Sequence, residues 1–148
     1  MEKVMFGTEE WFNAFIARLN KDAEYERIAK NYEGSILFRC LADPSVHPIL
    51  GKDLLFYFDP YHGKVREWRV VNDGEEQKAE YEVYGKYKDW KKLATGELDM
   101  RKAVLMTRQV KIKGKMSALI RHMKAAERTL AVLSEMKEEF YFPEDQKS

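Results

Sequence analysis

Four runs rich in β-branched and aromatic residues, at about 35–42, 53–59, 64–72 and 78–84, dominate the middle of the chain. Two of the links between them carry tight-turn chemistry, Asp59-Pro60-Tyr61-His62-Gly63 and Asn72-Asp73-Gly74. Links this short favour antiparallel neighbours over crossovers, so the four runs are predicted to form a meander. Leu54-Leu55-Phe56-Tyr57-Phe58 is apolar on both sides, which places the second run centrally or covers it twice. In the fourth, Ala79, Tyr81 and Val83 alternate with Glu80, Glu82 and Tyr84, as expected where one sheet face meets water. A sheet of this kind needs helices over its other face.

Those helices are legible on either side. Trp11, Phe12, Phe15, Ile16 and Leu19 recur at helical spacing behind Thr8 as N-cap, with Glu9 and Glu10 at the positive helix end. Asp22 caps a second helix predicted through about Tyr32, closing a hairpin that ends at Gly34. Beyond the strands, Asp89 to Ala94 reads as a short helix stopped near Gly96, and Asp99 caps another through about Met106. Val110-Lys111-Ile112-Lys113 then alternates with period two and stops at Gly114, which suits a sheet edge. A single long helix is predicted from Lys115 to Glu139, with Met116, Leu119, Ile120, Met123, Ala126, Leu130, Leu133 and Met136 on one stripe. The tail from Tyr141 to Ser148 is polar and interrupted by Pro143, so it is expected to be flexible, outside a core at about 8–137.

The fold class is therefore α+β, and 148 residues fit one domain. The 26 basic and 25 acidic residues leave a net charge of +1, so no global field draws nucleic acid or an anionic membrane. Cys40 has no partner thiol, which fits a reducing compartment, and it reads as a small buried hydrophobe. No stretch approaches the ~20 apolar residues of a membrane span, and the amino terminus has no long apolar run, so a cytoplasmic location is expected.

No catalytic signature assembles. The chain lacks GxSxG, a phosphate-binding glycine loop, HExxH, GxGxxG and any Cys/His cluster. His47, His62 and His122 are unspaced for a metal, and His122 reads as a solvated helix position. Neither cofactor nor metal is expected. Met106, Met116, Met123 and Met136 concentrate in the last third, where methionine suits either an ordinary core or an adaptable apolar pocket.

The stretch Asp89-Trp90-Lys91-Lys92-Leu93-Ala94-Thr95-Gly96-Glu97-Leu98-Asp99, followed by Ala103-Val104-Leu105-Met106 and Val110-Lys111-Ile112-Lys113-Gly114, resembles the carboxy-terminal signature of the sterol carrier protein family. That family runs W-x-x-L-x-x-G-x-L-(D/S), a short helix, then G-K-(L/V)-K-(I/V)-x-G-D into a helix. With the upstream hairpin and strands, the resemblance spans roughly 8–135. It implies a curved five-stranded, mostly antiparallel sheet with helices over one face enclosing an apolar tunnel for sterols, fatty acyl groups or related lipids. The residues matching the cavity elements are Trp90, Leu93, Val104, Leu105, Met106, Val110, Ile112, Met116, Leu119, Ile120 and Met123. Two positions depart: Thr107-Arg108-Gln109 stands where the family has Gly-Lys, and Lys115 stands where an aspartate caps the last helix. The expected partner is an apolar small molecule bound without catalysis. A second reading makes the apolar faces of the first and last helices a homodimer contact, and an enzyme is the least supported.

Overall fold

The structure is a computed structural model and describes residues 2–72 and 74–146. Asp73, in the middle of the expected Asn72-Asp73-Gly74 turn, and Lys147 and Ser148, at the end of the expected flexible tail, lie outside the described residues.

Along the chain come β1 (Val4–Met5), α1 (Glu9–Leu19), α2 (Ala23–Ile28), β2 (Ile36–Leu41), β3 (Leu54–Tyr61), β4 (Lys64–Val71), β5 (Tyr81–Lys86), α3 (Tyr87–Thr95), α4 (Met100–Leu105), β6 (Val110–Lys113), α5 (Met116–Arg121), α6 (Met123–Glu135) and β7 (Phe140–Tyr141). The caps expected from sequence are made: the side chains of Thr8, Asp22 and Asp99 accept from the backbone N–H of Trp11, Tyr25 and Lys102. Gly96 ends α3 with φ 84°, and Trp11, Phe12, Phe15, Ile16 and Leu19 form the buried face of α1.

The five-stranded sheet has the order β4-β3-β2-β5-β6. Three of its pairings are antiparallel, but β5 lies parallel to β2, so the meander stops after β4. The register shows why the crossover needs no helix. Val71 stands beside Leu55, which faces Arg39, while Tyr81 faces Ile36. The chain therefore drops back only about three residues while crossing three strand spacings, roughly 10 Å and 14 Å, a gap within the reach of the residues between Val71 and Tyr81. Residues 77–79 run over the sheet face opposite the helices. Ala79 packs there against Leu37, Tyr57 and Val71 in a small second apolar cluster, and Arg69 donates to Gln77 Oε1 (2.8 Å). Moving β5 inward also buries Tyr81 and Val83 under the helices, leaving the polar β4 at the edge.

The expected long last helix is broken at His122, which has φ −106° and ψ 21° and separates α5 from α6. Its ring meets Tyr32 edge-on at 4.9 Å, so His122 is half-buried rather than solvated. The break puts the two pieces out of phase. Leu119 and Met123 stay buried, whereas Met116 and Ile120, expected on the same stripe, face outward.

The chain's end is also packed. Phe140 and Tyr141 pair with Val4 and Met5, Phe142 and Pro143 are buried, and the Tyr87 hydroxyl donates to Glu144 Oε1 at 2.5 Å. The core thus extends from Phe6 to Phe142, beyond the expected 8–137, because two short terminal strands satisfy each other and let their aromatics meet Trp11.

Candidate functional site

Alternation along β2 and β3 aims Phe38, Cys40 and Phe56 at the helices, where they meet Phe15 and Trp11 of α1, Phe6, Trp90 of α3 and Leu133 of α6. These eight side chains enclose only about 10 Å³ of free space, room for no more than about one water. The rings interlock: Trp11 lies 4.5 Å from Phe6 and 5.3 Å from Phe56, and Phe38 lies 4.9 Å from both Phe58 and Trp90. The expected tunnel between sheet and helices is closed here by these aromatics. Among the described residues two buried side-chain polar atoms have no hydrogen-bond partner, Trp11 Nε1 at this ring and Tyr32 Oη away from it, beside Gly34. Burial pushes the Cys40 thiol up to about 12, so it stays a protonated, inert hydrophobe at neutral pH.

An open groove of about 460 Å³ follows the free edge of β6, bounded by α4 and α5. Its walls are Tyr84, Val104, Leu105, Arg108, Val110, Lys111, Ile112 and Met116. Five of the eleven residues singled out from sequence thus meet in one place: Val104, Leu105, Val110, Ile112 and Met116. Met106 and Ile120 stand exposed in the flanking helices, at 73% and 46%. Trp90, Leu93, Leu119 and Met123 are buried in the interior instead, and Trp90 Nε1 donates to the Arg39 carbonyl (3.0 Å). Val104 and Val110 belong both to the groove and to the buried core, so groove and interior share a wall.

Both departures from the family pattern are visible at this groove. Arg108, at the turn where the family has Gly-Lys, adopts the left-handed conformation with φ 56°, a geometry that glycine takes without steric cost. Lys115 makes no side-chain cap to α5. The glycine retained at position 114 is required: its φ is 129°, and a Cβ there would come within 2.7 Å of the Glu80 carbonyl.

Polar chemistry elsewhere is structural. Arg128 holds Asp22 through Nε and Nη2 at 2.9 and 2.7 Å, and this bonding keeps the Asp22 carboxyl below its ordinary range despite opposing burial. Burial pulls the Glu144 carboxyl up, but bonds from Tyr87, its own N–H and Lys91 outweigh that and leave it low. Glu82 bridges Arg39 and Lys113 across the outer sheet face. Each histidine is engaged separately, His47 with Gln146, His62 with Glu33 and His122 with Tyr32. No group of three metal-ligating side chains assembles among the described residues.

The inner ring of Phe6, Trp11, Phe15, Phe38 and Phe56 lies wholly outside the set expected from the 90–123 signature. The period-two pattern of β2 and β3 placed Phe38 and Phe56 on one face, but nothing in it says which helix covers that face.

The architecture, helices over one face of a five-stranded sheet with one parallel pair, defines a lipid-carrier type of α+β domain. The profile of the SCP-2 sterol transfer family matches residues 12–127, and the chain belongs to that family. It is similar to a crystal structure of sterol carrier protein 2, with 27% identity and a TM-score of 0.79 over 88% of this chain and 98% of that one. A conserved hypothetical protein from Thermus thermophilus, solved in solution, is 26% identical, with a TM-score of 0.77 over 91% of this chain and 92% of that one. Sterol carrier protein 2 from Yarrowia lipolytica, 20% identical with a TM-score of 0.53 over 83% and 88%, shares the fold. A search of curated proteins gives no match.

Proposed function

We propose that this protein binds and carries an apolar, lipid-like molecule, a sterol, a fatty acyl chain or a related lipid, without transforming it. Family membership supports the class of ligand, and one observation carries the site: an open groove of about 460 Å³, within the usual range for ligand pockets, has Leu105, Ile112 and Met116 beside Arg108 and Lys111 on its walls and shares Val104 and Val110 with the interior. A hydrocarbon tail enters past Leu105, Ile112 and Met116 and parts the aromatic ring behind them. The driving force is ample. A sixteen-carbon chain at ~0.8 kcal/mol per methylene gains roughly 12 kcal/mol gross, against the cost of displacing close-packed rings and ordering the chain. Trp11 Nε1, inside the aromatic ring and without a partner among the described residues, offers a polar lipid atom a hydrogen bond in an otherwise apolar interior. A single domain in the cytoplasm suits this reading.

The dimer reading loses most of its surface, since the apolar faces of α1 and α6 are buried within the chain, and of the expected last-helix stripe only Met116 and Ile120 of α5 stand exposed. Thermal denaturation with palmitate tests the carrier reading. Palmitate at about 100 times its Kd raises stability by about 2.7 kcal/mol, and Leu105→Asp together with Met116→Asp abolishes the gain. A wild-type melting curve unchanged by palmitate and by cholesterol overturns it.

A further inference from the structure

The chain has three tryptophans, and the fold treats their indole N–H groups differently. Trp68, 39% exposed, donates to Asn13 Oδ1 (3.0 Å) although water is at hand. Trp90 is buried and donates to the Arg39 carbonyl (3.0 Å). Trp11 is only 4% exposed, and its Nε1 has no acceptor among the described residues. The rings that meet it are those of Phe6, Phe12, Phe15, Phe56 and Phe140, with centroids 4.5–6.4 Å away, so the donor sits among hydrocarbon. A phenyl face accepts a hydrogen bond only weakly, and an oxygen displaces it. The stripe of α1 asks of position 11 only that it be apolar, and a phenylalanine there would match its neighbours and bury no donor. Trp11 also lies just ahead of residues 12–127, the part matched by the family profile, so family membership assigns it no role.

Trp11 is one of the eight side chains around the enclosed space of about 10 Å³, and no charged side chain stands among them. Trp90 on that wall is already bonded, and the Cys40 thiol stays protonated. Three kinds of atom could answer the free N–H. A water lodged there meets one strong partner in place of its usual three or so. A carboxylate would be buried without a counter-charge. An uncharged oxygen carried on a hydrocarbon satisfies both parts of the site, since the oxygen accepts from Nε1 while the carbons bearing it meet the phenyl rings.

We infer that Trp11 reads the inner end of the carried molecule, and that the guest it selects is an apolar lipid whose inner end bears an uncharged oxygen acceptor, a ketone, ester or hydroxyl. This rests on the carrier reading and adds which end of the guest goes in first. A guest lacking that oxygen leaves the donor buried and unpaired, which is how a site built to bond one atom rejects a molecule without it. A guest with a charged head enters tail first and keeps its head at the groove, beside Arg108 and Lys111.

Displacement of a fluorescent fatty acid from the whole protein tests the assignment, with heptadecan-2-one, heptadecane and palmitate as competitors and with wild type and Trp11→Phe compared for each. Comparing two proteins with one guest cancels the guest's own solubility in water. Trp11→Phe weakens binding of the ketone by about tenfold or more, and that of heptadecane and palmitate by less than about twofold. Because Trp11→Phe also shrinks the ring, a second replacement keeps the test independent of folding: benzothiophene in place of the Trp11 indole exchanges N–H for sulfur at nearly unchanged shape, and gives the same pattern. Equal losses for ketone and heptadecane, no loss for either, or a wild type that takes palmitate but not the ketone overturns the assignment and leaves the carrier reading standing. A wild type that binds none of the three overturns the carrier reading itself.

Discussion

The interior beneath α1 and the rim around β6 are built from different materials. Under α1, Trp11, Phe12, Phe15, Phe56 and Phe58 are at most 4% exposed and interlock ring on ring. Around β6, Leu105, Met106, Met116 and Ile120 stand 40–73% exposed on two six-residue helices, one without a side-chain cap and one joined to β6 through a left-handed arginine. The first region holds the fold and the second is cheap to move. A domain that must admit a bulky apolar guest needs both, because opening a close-packed aromatic core from its middle costs far more than lifting a short, sparsely anchored rim.

Several substitutions can break or sharpen that contrast. The largest effect belongs to the interior: Phe12→Ala lowers unfolding free energy by about 3–5 kcal/mol in chemical denaturation. A loss below about 1 kcal/mol would show that the aromatic layer is already loose. Asp22→Ala removes the cap of α2 and the partner of Arg128, costing about 0.5–2 kcal/mol for the cap alone. Its sign with pH is set by the lowered folded-state pKa. The contribution is complete above the unfolded value of about 4 and disappears as pH falls through the folded value, so the wild type loses stability on acidification more steeply than Asp22→Ala does. Arg108→Gly relieves the left-handed backbone and raises stability by up to about 1 kcal/mol, read as a higher denaturation midpoint at unchanged slope. Ile120→Ala, at the exposed rim, changes stability by no more than about 0.5 kcal/mol. Hydrogen exchange gives the contrast directly: amides of β6 and α5 exchange by local opening well below the global unfolding free energy, whereas those of α1 and β3 approach it.

Much of the fold was legible because its signals are local. Thr8, Asp22 and Asp99 are capping residues whose chemistry acts within one turn, and the α1 stripe and the β6 alternation follow from periodicity alone. The candidate site was legible in part. The signature around residues 90–123 led to Val104, Leu105, Val110, Ile112 and Met116 at one groove, while Trp90, Leu93, Leu119 and Met123 went to the interior. No periodicity separates these two outcomes, since both sets are apolar residues at helical or strand spacing. The helix break at His122 was hidden for a related reason: the apolar stripe runs through it, and the ring it meets there is Tyr32, ninety residues earlier in the chain.

By itself the sequence determined the kinds and order of the elements from α1 to β6 and the caps of α1, α2 and α4, because these depend on backbone sterics and on contacts a few residues apart. Tertiary structure alone decided that β5 leaves the meander to lie parallel to β2 and that Phe140 and Phe142 join the amino terminus in the core. Each of these depends on which distant surfaces bury the most apolar area together, a comparison that becomes possible only once the whole chain is folded.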